Sequence, residues 1–264
     1  MIVNFVVLTL FPLMFPAFAG HGIVRRAVEQ GLVDIEALNI RDFAEGRHST
    51  TDDRPYGGGN GMVLKPEPLA KAIRAAKEVH TDARVVFLGP RGRLFDQETA
   101  ARLAGGKDII MVCGRYEGID ERIAATLIDE EISIGDYILS GGETAAMVVM
   151  DAIIRLIPGA LGNESSAEQE SFSNQLLEHS HFTRPPVFEG METPEILLSG
   201  DHGKIDQWRT RASLLYTLAN RPDLLEGREF SKEEITILEN WGRQIADIIR
   251  TQGLHGPDAL SRNR

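Results

Sequence analysis

A chain of 264 residues, 42% hydrophobic and 25% charged, has the make-up of a globular protein with a sizeable core, long for one domain and suited to one domain plus a smaller one. Its net charge of -11 excludes a general nucleic-acid-coating protein, which is ordinarily basic, while leaving room for a specific RNA held by local basic patches. The single cysteine, Cys113, excludes an internal disulfide and a thiolate zinc site.

The chain opens on an apolar run, Met1 to Phe18, in which Ala17-Phe18-Ala19 imitates a signal-peptidase site. No Lys or Arg precedes it, and Asn4, Pro12 and Pro16 interrupt it, so the run predicts a buried parallel strand and a cytoplasmic protein rather than an export signal. Strand and helix patterns then alternate. Strands are expected at Ile2–Leu8, Val33–Ile40, Arg84–Leu88, Asp108–Cys113 and Glu131–Ile134, and helices at Phe15–Gln30, Pro68–Val79, Asp96–Ala104, Ile119–Leu127 and Glu143–Ile157. That rhythm predicts an α/β domain around a mainly parallel sheet, in which ligands sit beyond the carboxyl ends of the strands.

Asp52–Met62, DDRPYGGGNGM, predicts a polar surface loop. Its glycines lack the spacing and the preceding strand of a dinucleotide motif, and no GxxxxGK followed by Ser or Thr occurs, which excludes a P-loop NTPase.

The densest signal lies between Val112 and Glu143. Gly114, Gly118, Gly135, Gly141 and Gly142 stand at the ends of apolar runs, with Arg115, Glu117, Asp120, Glu121, Asp136 and Tyr137 between them. Glycine suits a backbone that turns sharply or lets a ligand approach, and so many ionisable groups beside strand ends point to a site rather than to two plain turns. Gly89, Gly114 and Gly135 each follow a predicted strand, so three loops are expected to converge on one pocket. Read alone, Glu117, Asp120, Glu121 and Asp136 also allow a metal-dependent hydrolase, although no compact Asp/His set accompanies them. Cys113 ends a strand and is expected to be a buried, inert thiol.

Beyond Ile157-Pro158-Gly159 the chain becomes polar and rich in small residues, which predicts a linker over 162–175 between a first domain, 1–161, and a small, mainly helical one, 176–264. Helices are expected at Lys204–Asn220 and Ser231–Arg250, the second opened by a Ser231/Glu234 capping box. His179 and His181, two apart, could ligate a metal from a strand; a polar loop is the plainer expectation. Basic residues gather at Arg25, Arg26, Arg41, Arg47 and Arg54, and again from Lys204 through Arg209, Arg211, Arg221 and Arg228, where RNA affinity is expected.

Four motifs in order, DRPYGGGNGM, CGRYEGIDER, SIGDYILSGGE and HFTRPPVFEG, resemble the bacterial tRNA (guanine-N1)-methyltransferases across essentially the whole chain. The resemblance implies a SPOUT-class α/β domain whose chain forms a deep trefoil knot, S-adenosylmethionine as methyl donor, and a homodimer with sites between subunits. It implies a tRNA substrate methylated at N1 of guanine 37, 3′ of the anticodon, and a magnesium requirement for which Glu117 is a candidate. By motif, the cofactor residues are Phe87, Leu88, Gly89 and Pro90; Gly114, Tyr116 and Glu117; and Ser133, Ile134, Gly135, Asp136, Tyr137, Ile138, Leu139, Gly141 and Gly142. Arg155 matches the arginine that supports the guanine oxygen, and Glu170 aligns with the family's aspartate base, one methylene longer. Serine is common in the family where Gly89 stands, and proline where Ala145 stands. The departure at Glu170 makes a non-catalytic RNA-binding protein that keeps the fold the competing reading.

Overall fold

A computed structural model of the protein describes residues 2–106, 108–162 and 170–251 and divides the chain into two compact units, 1–167 and 168–264. In the first, five strands form a sheet in the order β2-β1-β6-β5-β7, every pairing parallel. They are β1 (Val3–Thr9), β2 (Val33–Asn39), β5 (Arg84–Leu94), β6 (Ile109–Cys113) and β7 (Glu130–Ser133). A short antiparallel pair, β3 (Asp52–Asp53) and β4 (Val63–Leu64), closes the glycine-rich loop between them.

The two-residue period of β1 sorts its side chains into two cores. Val3, Phe5 and Val7 share one face with Val86, Leu88, Met111, Cys113 and Ile132, packed under α2 (Gly22–Glu29), α4 (Gln97–Ala104) and α6 (Gly142–Ile154). Val6 and Leu8 face the opposite side with Val85, Phe87, Ile110 and Val112, under α3 (Pro66–Val79) and α5 (Glu121–Leu127). Burial on both faces is why these strands read as continuous apolar runs. Asp108 ties the layers at one end: the Asn4 backbone and side-chain amides donate to it at 2.9 Å, and His80 Nδ1 lies 2.8 Å away.

Two expectations need correcting. The helix predicted over Phe15–Gln30 is broken into α1 (Phe15–Ala19) and α2, with Gly22 at φ +60° starting the second piece. The strand predicted to end at Leu88 runs on to Leu94: Pro90 has no N–H for the ladder, and the register shifts so that Ile132 faces both Leu88 and Arg93. Gly92 passes so close to β7 that a Cβ would stand 2.4 Å from the Glu131 carbonyl, so only glycine fits this return.

The second unit holds α7 (Glu195–Leu198), α8 (His202–Asn220), α9 (Lys232–Thr251) and a small hairpin, β8 (Val187–Phe188) with β9 (Met191–Glu192), that the sequence reading took as irregular. Leu176, Leu214 and Ile237 centre its core, flanked by Leu225, Phe230 and Trp241. The capping box forms: the Ser231 backbone N–H donates to Glu234 Oε2 at 2.7 Å, and the Glu234 N–H donates to Ser231 Oγ at 3.2 Å. Residues 163–169 of the predicted linker, and the chain after 251, lie outside the described residues. Among the described residues no helix is long and apolar enough to cross a membrane.

Candidate active site

A cleft of about 260 Å³ opens beyond the carboxyl ends of β5, β6 and β7, three neighbours in the sheet. Of the sixteen residues expected to hold the cofactor, fifteen line it. Asp136 does not; it is exposed on the loop after β7. Arg115, Gly118, Ile132, Ser140 and Ala145 also line the cleft and were missing from the motif match.

Glycine shapes each wall by what it leaves out. A Cβ on Gly114 would stand 2.8 Å from the Phe87 ring, and one on Gly142 would stand 2.8 Å from Cys113 Cα. That approach lets the Gly142 N–H donate to the Gly114 carbonyl at 2.9 Å, stitching the start of α6 to the exit of β6. Gly135 holds φ +148°, a conformation L side chains rarely adopt. Tyr116, at φ +60°, is a non-glycine residue held in the left-handed region on the rim, a form of strain that gathers at ligand sites. At Gly89 the space that a serine would fill is taken by Glu131, whose Oε1 would lie 2.4 Å from an added Cβ, so this departure has a steric partner.

Arg115, itself part of the lining, braces one wall of the cleft. It donates through Nη1 to the Ser140 carbonyl at 3.1 Å, pairs through Nη2 with Glu143 at 2.9 Å, and lies over the Phe11 ring at 4.3 Å. Glu143, 1% exposed, accepts from Thr9 Oγ1 at 2.7 Å, and Thr9 Oγ1 in turn accepts from the Phe11 N–H at 2.9 Å. The carboxylate stands in the first turn of α6, where the helix dipole favours negative charge. The ends of β1 and β6 and the loop entering α6 are thereby held as one. The sequence signal for this brace was an acidic residue directly after a glycine pair, opposite an arginine after another strand.

The glycine-rich loop borders the same site. The Glu117 N–H donates to the Met62 carbonyl at 3.0 Å, the Leu64 N–H donates to the Gly118 carbonyl at 3.0 Å, and a Cβ on Gly61 would collide with the Glu117 carboxyl. The other carboxylates weighed for a hydrolase are dispersed. Asp120 caps α5, and hydrogen bonding from Arg122 holds its carboxyl below the usual range despite partial desolvation. Glu121 pairs with Arg91 at 3.0 Å. Among the described residues no three His, Cys, Asp or Glu ligands converge on the cleft. Cys113 is wholly buried; burial first, then the Glu143 charge, pushes its thiol well above the ordinary range, as expected for an inert side chain.

Arg155 and Glu170 are not lining residues. Arg155 is the C-cap of α6, ten residues beyond Ala145, the last residue of this helix to line the cleft, which at 1.5 Å per residue is about 15 Å along the helix. Glu170 is half-buried at the start of the described part of the second unit, its carbonyl accepting from the Ser173 N–H at 3.2 Å.

A parallel sheet with a glycine-framed cleft past three strand ends defines an α/β protein built to hold a small organic ligand there. Comparison with known proteins narrows the class. The chain belongs to the tRNA (Guanine-1)-methyltransferase TrmD family, whose model matches residues 3–227. It is 53% identical over 236 residues to the tRNA (guanine-N(1)-)-methyltransferase of Halorhodospira halophila, covering 89% of each chain. It is 53% identical over 243 residues to that of Carboxydothermus hydrogenoformans, covering 92% of this chain and 95% of the relative. With the same enzyme of Geobacter sulfurreducens it shares 52% identity over 242 residues, 90% of this chain and 99% of the relative.

Proposed function

We propose that the protein transfers a methyl group from S-adenosylmethionine to N1 of guanine 37 in tRNA, as a cytoplasmic homodimer with composite sites. The observation that carries the reading is the cleft, where fifteen residues of the family's cofactor motifs meet and where Gly114, Gly135 and Gly142 let its walls close together at points where a Cβ would collide with Phe87, Tyr137 or Cys113. It fits the donor. Leu88, Ile134, Ile138 and Leu139 offer apolar walls to an adenine, backbone groups at the strand ends offer hydrogen bonds, and Glu117 offers a carboxylate to a cationic ligand. When bound, the sulfonium supplies an activated methyl and leaves as a neutral thioether as the bond to N1 forms.

The protein's part is then positioning, which can contribute roughly 7–11 kcal/mol in favourable cases, and management of charge on guanine. Glu170 takes the N1 proton, and Arg155 offsets negative charge developing on O6. The distance of Arg155 from the cleft along its own α6 supports a site completed by a second copy of the chain, and the deep trefoil knot of the family's fold belongs to the same reading. Among the described residues the cleft presents no converging ligand set for magnesium. Retention of the fold without transfer is not favoured, since the identity of about half extends across nearly the full length of the methyltransferase relatives and the cleft keeps its lining.

The test is incorporation of labelled methyl into unmodified tRNA, with the product base identified after digestion and S-adenosylmethionine binding followed by calorimetry. N1-methylguanine at position 37 is expected. Cofactor binding without incorporation would turn the reading to an RNA binder, and no cofactor binding would overturn it.

A further inference from the structure

We propose that the second unit carries a site for a divalent transition-metal ion of the zinc type, formed by Glu178, His179 and His181. One ligand atom from each of the three lies within 4.8 Å of the others, the one such group of His, Cys, Asp or Glu among the described residues. The imidazole rings stand 4.7 Å apart between centroids, and Glu178 Oε1 is 2.9 Å from His181 Nε2. Tetrahedral zinc with bonds of about 2.0–2.1 Å brings its donors to about 3.3 Å of one another, a contraction that side-chain rotation can supply.

Three further observations make this a prepared site rather than a loose pair of surface histidines. First, His179 Nδ1 lies 3.1 Å from the Ser180 carbonyl, which can only accept; the ring therefore carries its proton on Nδ1 and presents the Nε2 lone pair. An orienting bond of this kind is what metal-ligating histidines ordinarily have. Second, the backbone bearing the ligands is pinned. The Leu177 N–H donates to the buried Thr217 Oγ1 at 2.8 Å, the Glu178 N–H donates to Ser171 Oγ at 2.9 Å, and Ser180 Oγ donates to the Tyr216 hydroxyl at 2.8 Å. Third, Trp208 of α8 stands edge-on to His179 at 6.1 Å, restricting the ring from the side. Glu178 and His179 are half-buried and His181 is exposed, so an ion can reach the group from solvent.

The donor set selects the metal. Two imidazoles and one carboxylate suit zinc, cobalt or nickel, whereas magnesium wants oxygen ligands in octahedral array. These ligands belong to the second unit and are not among the residues that line the strand-end cleft, so the site does not depend on the methyl-transfer reading.

The experiment titrates Co²⁺ into the full, untagged chain and follows visible absorption. One equivalent should give a saturable d–d band that Zn²⁺ abolishes and excess Mg²⁺ leaves in place. His179→Gln and His181→Gln should each weaken Co²⁺ binding by at least about 100-fold, since even loss of an outer partner typically costs about 10–100-fold. His202→Gln, an exposed histidine at the start of α8, should leave it unchanged. Absence of a saturable band, or the same band in the His179→Gln/His181→Gln double variant, overturns the site. Should a variant fail to fold, X-ray absorption of the zinc-loaded wild-type protein decides: two imidazoles and an oxygen support the site, and an oxygen-only shell removes it.

Discussion

Gly135 shows how far a missing side chain controls the cleft. Its φ of +148° is costly for any L residue, and an added Cβ would meet the Tyr137 ring at 2.4 Å. Gly135→Val should therefore abolish S-adenosylmethionine binding in calorimetry while circular dichroism stays that of the wild type; undiminished affinity would detach the cofactor from this cleft. Glu170 is the residue on which chemistry turns. Glu170→Gln should keep both ligands bound and lower single-turnover methyl transfer by about 10²–10⁴-fold, because an amide cannot take the N1 proton. Glu170→Asp, the family's residue, should keep appreciable activity. A Gln variant with near-wild-type single-turnover rate would assign the proton to another acceptor. Single turnover matters here, since product release can conceal the chemical step.

Among the elements, α9 and the segment before it make a polar cluster that alters the expected RNA surface. Arg228 was counted with the basic residues of the second domain, yet it is 9% exposed, donating to both Glu234 oxygens at 3.2 and 2.9 Å and to the Asn174 carbonyl at 2.9 Å. Its work is internal. Removing Arg228 leaves the buried Glu234 carboxylate without its ionic partner, so Arg228→Ala should cost about 1.5–3 kcal/mol in denaturant unfolding, against a few tenths for exposed Arg209→Ala. Equal small losses would return Arg228 to the surface. In the first unit Asp108 joins β1, α3 and β6. Burial opposes its ionisation, but the bonds from Asn4 and His80 outweigh it and hold the carboxyl below its ordinary value. A carboxyl so lowered adds stability that is complete above about pH 4 and lost as pH falls through the lowered native value. Asp108→Asn should thus narrow the stability difference between pH 5 and pH 3, measured by denaturant titration at each pH.

At the scale of the whole molecule the question is how Arg155, about 15 Å along α6 from the cleft, and Glu170 meet one substrate. A composite dimer predicts complementation. Mixing Gly135→Val chains with Glu170→Gln chains should restore methyl transfer, because one site of the hybrid takes its cofactor cleft from the second chain and its base from the first. No recovery after verified subunit exchange would place cleft and base in one chain.

The sequence by itself determined the strands of the parallel sheet, the helices that follow them and the glycine-framed loops, because each is written in local terms: a continuous apolar run for a strand buried on both faces, a capping Ser231/Glu234 pair for α9, glycine where backbones close in. It also carried fifteen of the cleft residues through motifs that keep their order. Only the tertiary structure decided the rest. That Gly92 must pass against Glu131, that Arg115 and Glu143 brace the loops, that Asp136 turns outward and that Arg228 turns inward to the Asn174 carbonyl all depend on neighbours brought close by the fold. A residue's type gives its capacity for charge or contact; which capacity it uses is settled by the partners that folding brings within a few ångströms.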